Sequence, residues 1–335
     1  MKFSDVAGHV GPAARLRRAV TTDRVAGAYL LAGPAGIGKR RLADAFATSL
    51  LCDAPDGGDA CGKCPQCVRV EGKSHADLLV LTRDEDRRDI RTDQVRELIR
   101  WYALRPLMAG RKVALVDGAE QLNDHGQNAL LKTLEEPRGR GVLILVAAIE
   151  SAILPTVRSR CQIVRCDPLP ADVVRDLLVA RGVPAARAEV LAAQGRGSLA
   201  RALAGDDEDH TRLRALVLGA AAELPRQTAA DLSALAQEMS KAGPESGLGV
   251  LLSWYRDLLG RILDATTPLE NPDVREQLAR LAPARDASRT LRQLGLVCDT
   301  VRAVEHNANR TLALETLLLA LRDIEWTNSP QRSPR

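Results

Sequence analysis

The stretch from Gly33 to Arg40 reads GPAGIGKR and fits the phosphate-binding pattern G-x-x-x-x-G-K-[ST] at every position but the last. In such a loop the backbone N–H groups and the following helix hold phosphate oxygens, and the lysine adds a cation. Gly33, Gly36, Gly38 and Lys39 are therefore candidate phosphate contacts. The closing hydroxyl of the pattern ligates magnesium. Here Arg40 stands in its place, cannot ligate a metal, and brings a second positive charge to where the ion would sit. Asp117, at the end of the apolar run KVALVD, is the candidate acidic partner of that ion. The carboxylate that usually follows such an aspartate to polarise water is replaced by Gly118, and Glu120, two residues on, is not expected to reach the same spot.

A second constellation is CDAPDGGDACGKCPQC, in which Cys52, Cys61, Cys64 and Cys67 are spaced C-x8-C-x2-C-x2-C. Two overlapping C-x-x-C turns make tight knuckles, and four thiolates complete a closed tetrahedral zinc site with no position left for water. That chemistry is structural rather than catalytic. A redox role is the weaker alternative, since the Gly/Asp-rich setting is unlike a thioredoxin helix start. Cys161, Cys166 and Cys298 lack such spacing and are expected to be buried thiols. Arg160, in LPTVRSRC, is by itself an ordinary surface arginine; beside a nucleotide-binding core it could instead reach into a neighbouring subunit's site. None of the five histidines has ligand or triad spacing, and His75 and His125 are expected at the surface or as caps.

The elements that must position these residues alternate in type. AYLLA (28–32) is an apolar strand leading into the loop, and RRLADAFATSLLC continues as a helix. TDQVRELIRWYALRP sets Val95, Leu98, Ile99 and Tyr102 on one helical face, with Thr92 or Asp93 as N-cap. KVALVD, GVLILVAA and CQIVRC read as three further strands, and NDHGQNALLKTLEEP as a helix stopped by Pro137. Four apolar strands separated by helices predict an α/β core, a parallel sheet covered on both faces.

Beyond about Asp167 the pattern is helical, punctuated by Gly and Pro, with GDDEDH (205–210) expected as an exposed linker. The polar tail 327–335 is expected to be disordered. The whole of the 335 residues is 45% hydrophobic and 27% charged, as in soluble globular proteins. Aromatics make up only 2% and the net charge is +4, which disfavours a base-stacking or polybasic nucleic-acid binder, even a zinc-dependent one. The N-terminus lacks the apolar segment of a signal peptide, and the run VLILVAAI is too short to span a membrane, so a cytoplasmic location is expected. Disulfides are not expected there.

Taken together, GPAGIGKR, the four-cysteine insertion, QNALLKTLEEP, ILPTVRSRC and NANRTLALETLLLAL resemble the clamp-loader branch of the AAA+ proteins over nearly the whole chain. LLKTLEEP followed by SRC is specific to that branch. The resemblance implies a AAA+ nucleotide-binding-like domain at 1–167 with its zinc module at 52–67, a helical lid at 168–210 and an all-α collar at 211–326. It also locates two further positions of the ATPase machinery, a polar sensor falling on Ala148 and a sensor arginine falling on Ala200, with Arg201 one place out. Arg40, Gly118, Ala148 and Ala200 all depart from the hydrolytic pattern.

The branch contains both hydrolysing gamma/tau subunits and non-hydrolysing ones, and these departures point to the second kind. The implied role is a stator in a hetero-pentameric ring with three gamma/tau copies and one delta, which places a sliding clamp on primer-template DNA. Arg160 would act in trans as an arginine finger on the neighbouring gamma/tau site. Structural zinc is implied as cofactor, with ATP or ADP binding at Gly33, Gly36, Gly38, Lys39, Arg40 and Asp117 weak or absent. A gamma/tau-like motor is the alternative.

Overall fold

A computed structural model describes residues 1–84, 87, 89–136, 139–306 and 308–326, with Glu305 and Trp326 as backbone only. The chain divides into two compact units, Met1–Val174 with Gly197–Ala200, and Arg175–Arg196 with Arg201 onward. Pro137, the expected helix stop, and the tail 327–335 lie outside the described residues.

The first unit follows the order α1 (Val10–Thr21), β1 (Ala28–Ala32), α2 (Lys39–Leu51), α3 (Pro65–Glu71), β2 (Leu78–Leu81), α4 (Thr92–Tyr102), β3 (Val113–Asp117), α5 (Asp124–Glu135), β4 (Val142–Ala147), α6 (Pro155–Arg158) and β5 (Gln162–Arg165). The strands form one sheet in the order β2-β3-β4-β1-β5, with every pair parallel. β1 and β4 are buried at every residue, which explains their unbroken apolar sequence. Alternate side chains serve opposite faces. Leu30, Ala114, Val116, Leu143 and Leu145 pack with Val95, Leu98 and Leu130 of α4 and α5. On the other face Tyr29 meets Phe46 of α2 edge-on, ring centroids 4.8 Å apart.

Three expectations need correction. The sheet has a fifth strand, β2, on its edge; its sequence LLVL is apolar like the central strands, but Val80 is exposed and only Leu81 is buried. Helix α4 is capped by Arg91 rather than Thr92 or Asp93, its backbone N–H donating to Gln94 Oε1 at 2.9 Å. GDDEDH is exposed from Asp206 to Asp209 but a linker only in its first half: residues 205–207 join helix α9 (Leu199–Ala204) to helix α10 (Glu208–Ala222), Asp207 N-caps α10, and Glu208 and Asp209 occupy its first turn, where acidic side chains favour the positive end of the helix dipole.

From Ala171 the described elements are helical: α7 (Ala171–Val179), α8 (Ala185–Gly195), α9 (Leu199–Ala204), α10 (Glu208–Ala222), α11 (Ala229–Lys241), α12 (Pro244–Leu263), α13 (Arg275–Leu281), α14 (Ala287–Glu305) and α15 (Arg310–Trp326). Helices α10 to α15 enclose a separate apolar core around Val217, Ala236, Trp254, Leu258, Val297 and Leu314. None of the helices among the described residues is long and apolar enough to cross a membrane.

Candidate functional site: a self-satisfied phosphate loop and a four-thiol cluster

The loop between β1 and α2 sits at the C-terminal edge of the sheet, where open α/β sheets bind their ligands. Gly36 and Gly38 take positive φ, 74° and 96°, so the loop needs glycine there. A side chain at Gly36 would also collide with Ser198 and Ala200, because the short segment Gly197–Ala200 lies against the loop. The Ala200 amide donates to the Gly36 carbonyl over 3.4 Å. Position 200 therefore faces the loop and presents only a methyl group, whereas Arg201 belongs to the other unit.

The two cations are occupied internally. Lys39 is buried and donates from Nζ to the carbonyl of Pro34 at 2.6 Å. Burial lowers its pKa, and the charges of Glu120 and Asp117 oppose that lowering. Arg40 bridges two carboxylates, Nε to Asp44 Oδ1 and Nη1 to Asp117 Oδ2, both at 2.9 Å. Burial opposes its charge, but these two partners hold the guanidinium pKa above its ordinary value. The guanidinium thus lies on Asp117, the carboxylate that a hydrolytic site would turn toward a metal.

Gly118 has φ of 78° and opens a short turn, Ala119–Gln121. A glutamate at position 118 would be strained by that backbone and would press on Gln121. Glu120 lies within that turn. Its Oε2 is buried and makes no hydrogen bond among the described residues, and its charge acts on Lys39. Ala148 follows Ala147, the register partner of Ala32 immediately before the loop.

The cysteine cluster meets its expectation. The sulfurs of Cys52, Cys61, Cys64 and Cys67 all lie within 4.8 Å of one another, and every cysteine is free of disulfides. The Cys52 and Cys64 sulfurs are 3.9 Å apart. A tetrahedron with Zn–S bonds of about 2.3 Å has edges of about 3.8 Å. Backbone N–H groups donate to the sulfurs: Cys61 to Cys52 and Cys64 to Cys61 at 3.3 Å, Cys67 to Cys64 at 3.4 Å. The Lys63 and Cys64 amides bring the Cys61 thiol down to about 6, whereas burial pushes the Cys52 and Cys67 thiols up, so the fit to a metal rests on the sulfur geometry. Four soft donors in a closed set fit a structural zinc ion, which would tie α2 to α3. The insertion is also fastened to the N-terminus, where the backbone N–H groups of Phe3 and Ser4 donate to the Asp59 carboxylate at 2.8 and 3.2 Å.

The remaining cysteines differ only in degree. Cys166 is buried and its thiol is pushed up to about 11 by desolvation; Cys161 is half-buried and pushed up to about 12. Cys298 is half-buried rather than buried.

Arg160 lies just past α6, exposed at the surface. Its Nε donates to Glu135 Oε1 at 2.9 Å and its Nη1 to the Thr156 carbonyl at 3.0 Å. His125 is exposed as expected, but His75 is buried and accepts the Asp77 backbone N–H on Nδ1 at 3.0 Å. Asp77 itself was not singled out by any motif. It is fully buried and accepts the backbone N–H groups of Leu107, Met108 and Ala109 at 2.8, 2.7 and 2.8 Å, pinning the loop that leads into β3.

Comparison with known proteins gives this arrangement a family. A family model described as "DNA polymerase III, delta subunit" matches residues 10–170, and one described as its C-terminal part matches residues 210–323. The chain is 36% identical over 315 residues to DNA polymerase III subunit delta' of Pseudomonas aeruginosa, covering 90% of this chain and 92% of the relative. It is 30% identical over 300 residues to subunit delta' of Escherichia coli, covering 88% of each. Similarity to subunit tau of Escherichia coli, 34% over 182 residues, covers 52% of this chain and only 27% of that protein. With about nine-tenths of its length aligned on delta' subunits at 30–36% identity, the chain belongs to the DNA polymerase III delta' family.

Proposed function

We propose that the chain is the non-hydrolysing stator of a DNA polymerase III clamp loader, working in the cytoplasm beside gamma/tau and delta subunits. The assembly is a hetero-pentameric ring that loads the sliding clamp onto primer-template DNA. The observation that carries this reading is the Arg40 guanidinium, held between Asp44 and Asp117 where a hydrolytic site keeps its metal. A magnesium ion there would meet a fixed positive charge and an aspartate already engaged. Gly33, Gly36, Gly38 and Lys39 keep the shape of a phosphate site, with nucleotide binding weak or absent.

The chain contributes to ATP chemistry through Arg160, which completes the adjacent gamma/tau site. Such a residue stabilises charge on the transferring phosphoryl and supplies about 10³–10⁵ in rate. Residues 1–167 form the AAA+ core, 168–210 the lid and 211–326 the collar that joins the ring. Reconstitution of the loader with Arg160→Ala tests the assignment. Assembly should be retained, and ATP turnover stimulated by clamp and primed DNA should fall at least tenfold at the adjacent site. Undiminished turnover would remove the finger role.

A further inference from the structure

The segment that bears Arg160 is gripped twice by α5, once rigidly and once loosely. The rigid grip is Gln127, a buried side chain near the start of the helix. Its Oε1 accepts the Leu154 N–H at 2.7 Å, and its Nε2 donates to the carbonyls of Leu122 and Ala152 at 3.1 and 3.0 Å. This fixes the backbone immediately before α6. The loose grip is Glu135, the last residue of α5, whose Oε1 takes both Nε and Nη2 of Arg160. The two side chains are 36% and 50% exposed, so this ion pair exchanges readily with other partners.

The donor inventory shows why exchange is required. A guanidinium has five N–H donors. In Arg160, Nε and one Nη2 hydrogen are spent on Glu135, and Nη1 is spent on the Thr156 carbonyl and, at 3.4 Å, the Ser159 hydroxyl. One donor is left, whereas a phosphoryl group is gripped by two parallel N–H bonds. A carboxylate left beside the transferring phosphate would also repel it.

Resting on the finger reading above, we infer that Glu135 is a positioning residue that parks Arg160 while no neighbouring phosphate is present and gives it up when one arrives. LLKTLEEP and SRC then form one device: Gln127 sets the place of the finger and Glu135 sets its availability. An ion pair this exposed corresponds to about 1 kcal/mol at most, or about fivefold in the competition between carboxylate and phosphate.

The test uses the reconstituted loader with clamp, primed DNA and ATP, comparing wild type, Glu135→Gln, Arg160→Ala and the double variant. Glu135→Gln should lower the apparent KM for ATP by about two- to fivefold with no loss of kcat. Arg160→Ala should lower kcat, and the double variant should match Arg160→Ala alone, because Glu135 acts only through the arginine. If Arg160→Ala is normal, the finger reading fails and the parking role falls with it. If Arg160→Ala is impaired but Glu135→Gln leaves KM unchanged, lowers kcat, or adds to the Arg160→Ala defect, the parking role alone is overturned.

Discussion

Asp77 offers a test of how firmly the first unit holds the loop entering β3. Removing its carboxylate by Asp77→Ala strands the N–H groups of Leu107, Met108 and Ala109 and leaves Lys112, buried and 4.0 Å from the carboxylate, without its counter-ion. Three charge-assisted hydrogen bonds at about 1.5–3 kcal/mol each set an upper bound of about 5–9 kcal/mol. The loop can recover part of this, since Leu107 is 78% exposed and its amides gain water once they open. Lys112 cannot, because it is sealed over the Trp101 ring with Nζ 3.9 Å from the centroid. Rehydration of the loop brings the expected loss to about 3–5 kcal/mol, most of it the unpaired buried ammonium.

Urea unfolding gives the total, and amide exchange at residues 107–109 reports the loop itself. The pH dependence has a definite sign. Burial pushes the Asp77 carboxyl upward, but the amides of Ala109, Leu107 and Met108, aided by Lys112, outweigh it and hold it below the usual range. Its stabilisation is therefore complete above the unfolded carboxylate value of about 3.9 and is lost as pH falls through the lower folded value. Protection at 107–109 should persist down to about pH 4 in the wild type. A loss below about 1 kcal/mol on Asp77→Ala, or unchanged amide protection, would refute this reasoning.

Two other perturbations probe separate parts of the chain. Metal analysis should find about one zinc per chain, and Cys64→Ser should lose the metal and loosen the α2–α3 connection; a well-folded, zinc-free wild type would count against the four-thiol site. In the helical unit Glu325 is 5% exposed and pairs with Arg285 and, at 3.7 Å, with Arg289. Glu325→Ala should cost about 3–5 kcal/mol in chemical denaturation, because it removes the carboxylate from the buried Arg285 guanidinium; a change under about 1 kcal/mol would mean that water reaches Arg285.

What the sequence revealed follows from where burial leaves a one-dimensional trace. β1, β3 and β4 are covered on both faces and write themselves as apolar runs. β2 borders the sheet and reads LLVL, equally apolar but only four residues long and with Val80 exposed, so an apolar run alone does not report burial there. GDDEDH was ambiguous in principle, since acidic residues suit both solvated linkers and the first turn of a helix. Spacing located the four thiols because knuckle geometry is local. It could not locate Asp77, whose three amide partners lie some thirty residues along the chain. Arg40 stood out as an anomaly in the sequence; Asp44 is its i,i+4 neighbour on α2, but Asp117 becomes its partner only through the packing of α2 against β3.

The central claim is that this loop has kept its shape and given up its reaction. The most direct measurement is ATP hydrolysis by the purified chain alone, with magnesium present, beside a Lys39→Ala variant. Both proteins should show the same background rate. Robust turnover that disappears in Lys39→Ala would contradict that claim and would make the chain a motor.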